Sequence, residues 1–243
     1  MLWKTQYEAY SEITLRELYK MQIDFWTIEK FRLEAFKFSW PVLISSGNPR
    51  HEAENPEAEQ ITLYFSKLSG EKPRILDIGA GEMYLKKALE TRHIDADYRS
   101  MDISKSSGKK YDFDSIESIV GQYDLIIMQE VLEHLPLETG LDYLRKAYEL
   151  LSPQGYLVVT VPNVSRPVQF FIDFSHITHY PLPDLYAILR ATGFKGEAIF
   201  RRIEIRPSGL SIKNRCILQI RKFLYKLMGF DWAHGVLCMV AKC

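Results

Sequence analysis

Four short runs, RILDIG, YRSMDI, YDLIIM and GYLVVTV, are rich in Val, Ile and Leu and bounded by turn-forming residues. They alternate with stretches of helical periodicity, and this alternation constrains the fold more than any other feature. Strands that read as nearly continuous apolar runs are buried on both faces. Strands separated by helices return parallel to one another, so the expected class is α/β, a mostly parallel sheet with helices on both faces.

Composition narrows the possibilities further. A chain of 243 residues with 47% hydrophobic and 13% aromatic content has the make-up of one globular domain with a sizeable core. Its 31 basic and 31 acidic residues balance, so no global field attracts nucleic acid or an anionic membrane. Partners of either kind have to be read from local patches. Cys216, Cys238 and Cys243 lack the spacing of a zinc site or a disulfide framework, which fits a reducing cytosol. No stretch approaches the ~20 apolar residues of a membrane span, and MLWKTQYEAYSEITLRELYK lacks the apolar core of a signal peptide. A soluble, cytoplasmic protein is expected, with contact at the inner face of the membrane left open.

Three zones are visible. Tyr7 to Phe38 carries apolar residues at three- and four-residue spacing, so residues 1–55 are expected to form an N-terminal helical cap ended by Pro41 and the loop SSGNPRHEAENP. Residues 56–243 hold the α/β domain, into which a basic amphipathic helix is inserted at about 212–230 before the last strand, GVLCMVAKC.

The first strand runs into RILDIGAGEMYLKKALE. Gly79 and Gly81 between a buried strand and a helix start bring backbone N–H groups close to a ligand at the carboxyl edge of a sheet. The alternative is a tight strand-to-helix turn with no ligand. Asp102 ends the next strand about twenty residues on, where a carboxylate can accept both hydroxyls of a ribose. A nucleoside-containing cofactor is the reading that joins the two.

After YDLIIM comes QEVLEHL. On a helical turn, residues at i, i+3 and i+4 share a face, which would point Glu130, Glu133 and His134 together toward the sheet edge. Three readings stay open. The carboxylates favour a helix amino terminus and the histidine is a satisfied imidazole; His134 or a glutamate is a general base; or the three supply most of a divalent metal site suited to Mg²⁺ or Mn²⁺. DFSHITHYP, past the last of the four strands, offers His176 and His179 at the same edge.

These residues together resemble the class I S-adenosylmethionine-dependent methyltransferases. ILDIGAG is similar to their first motif, MDIS to the acidic end of their second strand, YDLIIMQEVLEHL to the fourth strand and its turn, and LSPQGYLVVTVPN to the fifth. The resemblance covers roughly Ile61 to Phe194 and implies a doubly wound, seven-stranded Rossmann-like sheet. It also implies S-adenosylmethionine as cofactor, with Gly79 and Gly81 at its methionine portion and Asp77 behind them. Asp102 would sit at the ribose, Asp112 or Phe113 at the adenine, and Gln129 beside the methyl group. Two departures stand out: Met83 replaces a third glycine, and the span Ile103 to Gln122 is too short for a full third strand and helix.

DFSHITHYP also looks like a segment of bacterial glycan and lipid-linked sugar methyltransferases. E-V-L-E-H with a later histidine resembles small-RNA terminal ribose methyltransferases, whose metal is held by two glutamates and two histidines. Carried over, this implies Glu130, Glu133, His134 and His176 as metal ligands, with Glu133, His134 and His176 as the catalytic candidates. In both families the acceptor is a sugar hydroxyl.

Between Ile212 and Phe230, Lys213, Arg215, Arg221, Lys222 and Lys226 occur with no acidic residue, among apolar Ile217, Leu218, Ile220, Phe223, Leu224, Leu227 and Met228. The segment reads either as a docking helix with a solvated basic face or as one lying on an anionic membrane or gripping a phosphate-rich substrate. A lipid-linked sugar would satisfy the last two together. Nucleic acid is not the partner this neutral chain favours.

Overall fold

The computed structural model describes residues 25–35, 42–46, 72–104, 108–166, 173–205, 216–217, 219–220, 223–224, 227 and 233–242. Its strands are β1 (Val42–Ser46), β2 (Arg74–Ile78), β3 (Asp97–Met101), β4 (Tyr123–Gln129), β5 (Leu151–Pro162), β6 (Phe194–Ile205) and β7 (Gly235–Lys242). Its helices are α1 (Phe25–Ala35), α2 (Tyr84–Thr91), α3 (Leu137–Leu150) and α4 (Leu182–Ala191). The seven strands form one sheet in the order β1-β6-β7-β5-β4-β2-β3. Every neighbouring pair is parallel except those of β7, which runs antiparallel to both β5 and β6.

The apolar runs behave as their patterning demands. Along β2 and β4, Leu76, Ile78, Ile126 and Met128 enter one apolar layer with α1, α3 and α4. The alternate residues Ile75, Leu125 and Ile127 enter a second layer with Leu85, Ala88 and Leu89 of α2. Successive strand side chains point to opposite faces, so a strand covered on both sides needs apolar residues at every position. Each large side chain removed from water in this way contributes about 1.5–3 kcal/mol.

One expectation is met and one changes. The third strand around YDFD is reduced to one bridge between Met101 and Phe113, as the short span between β3 and β4 requires. The helical cap expected over residues 1–55 is not wholly helical. VLISS follows Pro41, which bars a continuing helix, and pairs in parallel with β6 as the sheet's edge strand. Ahead of it, α1 packs on α4, where Arg32 pairs with Asp184 and the Arg190 guanidinium lies 5.0 Å from the centre of the Phe31 ring. The first zone therefore joins the domain through a strand and a helix. The remainder of the cap, including Tyr7 to Asp24, lies outside the described residues.

The registers place the carboxyl ends of the parallel strands on one edge. Ile78 is level with Met101 and Met128, Gln129 with Thr160, and Ser46 with Ile205. Gly235 at the start of β7 is level with both Pro162 and Arg202, so the chain between β6 and β7 leaves and returns at this same edge. No helix among the described residues is long and apolar enough to cross a membrane. Cys238 is buried in β7 and Cys216 is exposed, whereas Cys243 lies outside the described residues.

Candidate active site

The chain leaves β2 through a turn built for glycine. Gly79 has φ of +75°, and a Cβ there would meet Val131 Cγ2 at 2.4 Å, so neither the backbone nor the space admits a side chain. Gly79 and Ala80 donate their N–H groups to the Met101 carbonyl at 2.8 and 3.1 Å, tying the turn to the end of β3. Gly81 has φ of +45°, and a Cβ there would meet nothing nearer than the Gly79 carbonyl oxygen at 3.9 Å. The space beside the Gly81 Cα thus lies open.

Asp102 braces this loop. One of its carboxylate oxygens accepts the Gly81 N–H and the other the Ser104 N–H, each at 2.8 Å. A carboxylate oxygen has two lone pairs, so both retain capacity for a ribose hydroxyl. Asp77 is buried and accepts the Tyr98 hydroxyl at 2.6 Å. Burial raises its pKa to about 6, Tyr98 opposes the shift, and the charge of Asp102 adds to it. Met83, where relatives of the type described above carry glycine, adopts φ 54° and ψ 39° at the start of α2. This is the left-handed region, so the turn makes the same demand there and a methionine meets it under strain.

The structure puts Asp112 in a structural position: its carboxylate accepts Ser100 N–H and Oγ–H at 2.9 and 3.0 Å and the Arg99 guanidinium at 3.1 Å. Those bonds hold its pKa below the usual range against the effect of burial. Phe113 pairs with the backbone at both sides, its N–H to Ser100 and its carbonyl to Asp102 N–H. Of the two adenine candidates, Phe113 has the side chain suited to a planar base. Ile103, 65% exposed beside Asp102, and Tyr111, whose hydroxyl donates to the Gly81 carbonyl at 3.0 Å, flank the same loop. Neither carries a motif signal.

The chain leaves β4 through a different kind of turn. The shared face expected of an α-helical turn does not form: Glu130 takes a left-handed φ of 51°, and Leu132–His134 is a single 3₁₀ turn. Thr160 on β5 imposes this geometry, because its carbonyl and hydroxyl receive the Glu130 N–H at 3.1 and 3.2 Å while its hydroxyl donates to Glu130 Oε1 at 2.9 Å. Gln129 ends β4 level with Thr160.

The kink still gathers the polar groups. Ligand atoms of Glu133, His134 and His176 all lie within 4.8 Å of one another, and the two imidazoles meet edge to face with centres 4.8 Å apart. Glu133 is 1% exposed, and among the described residues no donor reaches either of its carboxylate oxygens; the neighbouring Glu130 carboxylate can share a hydrogen bond with it only while one of the two is protonated. Burial, and then the neighbouring Glu130 carboxylate, push its pKa far above the carboxylate range. The loop bearing His176 is latched to the turn by Ile177 and Thr178, whose N–H groups both donate to the Glu133 carbonyl, at 2.8 and 3.1 Å. The Thr178 hydroxyl adds a bond to the Leu135 carbonyl at 2.6 Å. His179 is exposed and outside the cluster.

Ser175 and Asp173 were not legible as site residues. Nδ1 of His134 lies 3.3 Å from the Ser175 carbonyl, which only accepts, and 3.0 Å from Ser175 Oγ. The Ser175 hydroxyl donates to Asp173 Oδ1 at 2.6 Å. Since the Ser175 hydroxyl hydrogen is given to Asp173, these partners suit a donor at Nδ1 of His134.

A family model for a methyltransferase domain matches residues 50–199, more than half of the chain. The chain belongs to the S-adenosylmethionine-dependent methyltransferases. A methyltransferase of that class from Archaeoglobus fulgidus superposes with a TM-score of 0.57 at 21% identity, covering 76% of this chain and 93% of that one. The 1,6-didemethyltoxoflavin-N1-methyltransferase of Burkholderia thailandensis gives a TM-score of 0.51 at 14% identity, covering 77% of each chain. A methyltransferase from Clostridium acetobutylicum gives 0.51 at 10% identity, covering 76% of this chain and 90% of that one. Likeness at these identities is likeness of fold. No curated protein matches.

In this methyltransferase the open space beside Gly81, the remaining acceptor capacity of Asp102 and the buried Asp77 fit S-adenosylmethionine, which supplies an activated methyl group when bound. The glycine turn and the acid turn leave adjacent strands, since β2 pairs directly with β4. Val131 of the acid turn also fills the space above Gly79, so the two turns are in contact.

Proposed function

We propose that this methyltransferase transfers its methyl group to a sugar hydroxyl, in a glycan, a lipid-linked sugar or a glycosylated metabolite, with a divalent cation at Glu130, Glu133, His134 and His176. The observation that carries this reading is Glu133. A buried carboxylate without a donor costs several kcal/mol unless it is protonated or binds a cation. The grouped donors, the Glu133 carboxylate and two imidazoles, with the Glu130 carboxylate next to Glu133 but outside the grouping as the proposed fourth, suit Mg²⁺ or Mn²⁺. Ligand atoms around such ions stand about 3–4 Å apart, so the 4.8 Å grouping needs only a small contraction. When bound, the cation would hold vicinal hydroxyls and lower the pKa of the attacking one.

The chain's own residues supply the rest. Asp173 and Ser175 hold the Nδ1 side of His134, and Thr160 fixes the Glu130 carboxylate. The latch from Glu133 to Ile177 and Thr178 carries His176 into place. With Asp102 and the glycine turn orienting the donor at the adjacent strand end, the acceptor oxygen and the methyl group are held for in-line approach.

A second reading rests on Phe174 and Ile177, which are 99% and 53% exposed on the His176 loop. Such a lip suits an aromatic or apolar acceptor with a carboxyl, amine or phenol, methylated without a metal while Glu133 keeps its proton. A chelator separates the two. Labelled S-adenosylmethionine is supplied with a fractionated extract, before and after metal removal, and Mn²⁺ binding is followed by electron paramagnetic resonance. Loss of transfer restored by Mg²⁺ or Mn²⁺ favours the first reading; chelator-resistant transfer and no bound Mn²⁺ refute it.

A further inference from the structure

We infer that the segment Cys216–Leu227 is a docking surface for an anionic lipid bilayer, set so that the membrane faces the active-site edge of the sheet. This goes beyond the choice of acceptor, since it holds whatever group is methylated. The described residues of the segment, Cys216, Ile217, Gln219, Ile220, Phe223, Leu224 and Leu227, are all helical. Ile220, Phe223 and Leu227 are 57%, 62% and 67% exposed. At helical spacing these three, with Ile217 and Leu224, fall within an arc of about 120°, a stripe wide enough to bury against an apolar surface.

Position gives the stripe its meaning. The segment lies in the connection from β6 to β7, and that connection starts and ends at the edge where the glycine turn, the acid turn and the His176 loop emerge. Asn163, at the end of β5, ties the returning chain down: its side chain donates to the Ala233 carbonyl and its N–H to the His234 carbonyl, both at 3.1 Å. The exposed side chains of Phe174 and Ile177 stand on another loop of the same edge.

Charge selects the occupant. Residues 212–230 contain five basic residues and no acidic one in a chain whose total charge is zero. A second copy of the chain would bring two such basic segments together, which like charge opposes. Nucleic acid would satisfy the charge but leave the apolar stripe in water. An interface of anionic headgroups over acyl chains satisfies both requirements, as in helices that lie in the plane of a membrane.

The test is co-sedimentation of the full chain with vesicles of phosphatidylcholine alone or mixed with phosphatidylglycerol. The protein is expected to pellet with the mixed vesicles, to stay in the supernatant with phosphatidylcholine alone, and to be released by salt. The double variant Phe223→Ser, Leu227→Ser, and separately Arg221→Gln, Lys222→Gln, Lys226→Gln, should each weaken partition by about tenfold or more. Unchanged S-adenosylmethionine affinity by calorimetry shows that both variants are folded. Wild type remaining in the supernatant with mixed vesicles overturns the inference, as does equal pelleting with both lipids. So does light scattering that shows a dimer abolished by the Phe223 and Leu227 substitutions with no change in vesicle binding.

Discussion

The turns after β2 and β4 leave neighbouring strands at the same edge, and each forces one non-glycine residue, Met83 or Glu130, into left-handed backbone. They differ in how their polar groups end up. Around the glycine turn, Asp102 meets two backbone N–H groups and Asp77 meets the Tyr98 hydroxyl. Around the acid turn, Glu133 is buried to 1% exposure and, among the described residues, meets no donor at either oxygen. The first turn is complete as a scaffold before any ligand arrives. The second stores unfavourable free energy where the chemistry is expected, a pattern in which function opposes stability.

The largest test of that contrast is Glu133→Gln. Turnover should fall by about a hundredfold or more, equivalent to roughly 2.7 kcal/mol, while cofactor affinity is kept. The stability of the variant relative to wild type should also grow as pH rises, because wild type must keep its buried carboxyl protonated whereas the amide does not titrate. A difference that does not change with pH, with full activity, would erase the distinction between the turns.

Asp77→Asn probes the glycine side through pH. A carboxyl whose folded pKa is raised binds its proton more tightly when folded, so its contribution is most favourable below the unfolded value of 3.8 and is lost as pH rises through about 6. The stability of the variant relative to wild type should therefore grow by about 3 kcal/mol between acidic and neutral solution. Denaturant melts of ligand-free protein at several pH values measure it, and a pH-independent difference would show that Asp77 is ionised at little cost.

Asp102→Ala should weaken S-adenosylmethionine binding by about 1.5–3 kcal/mol, the value of a charge-assisted hydrogen bond. Calorimetry reads this directly, and undiminished affinity would mean that the ribose is held elsewhere. The smallest effect belongs to Met83→Gly, which should stabilise the fold by about 1 kcal/mol by removing left-handed strain. No gain in melting temperature would show that the methionine side chain contributes packing that offsets its backbone.

Much of this edge could be read from the sequence because its signals are local. β2 to β5 announce themselves as apolar runs, Gly79 and Gly81 sit at the turn that needs them, and the length of the span from Ile103 to Gln122 foretold a vestigial third strand. Glu133, His134 and His176 were found through motif spacing, and the fold brings them together. What escaped depends on contacts between distant residues. Thr160 acts on Glu130 across 30 positions, and Ser175 on His134 across 41. The strand VLISS was hidden because five residues between a proline and a loop carry too little periodicity to stand apart from the helical zone before them.

The antiparallel placement of β7 has one more consequence. Because β6 and β7 face each other as the two arms of a long hairpin, everything between Ile205 and Gly235 is a tip whose ends are already held at a fixed separation by the sheet. Doubling the length of such a tip costs only about 0.6 kcal/mol in closure entropy and leaves the register of the arms intact. The fold thus keeps the sheet edge and the length of this connection as separable parts. The connection can be rebuilt in length while the edge stays as it is.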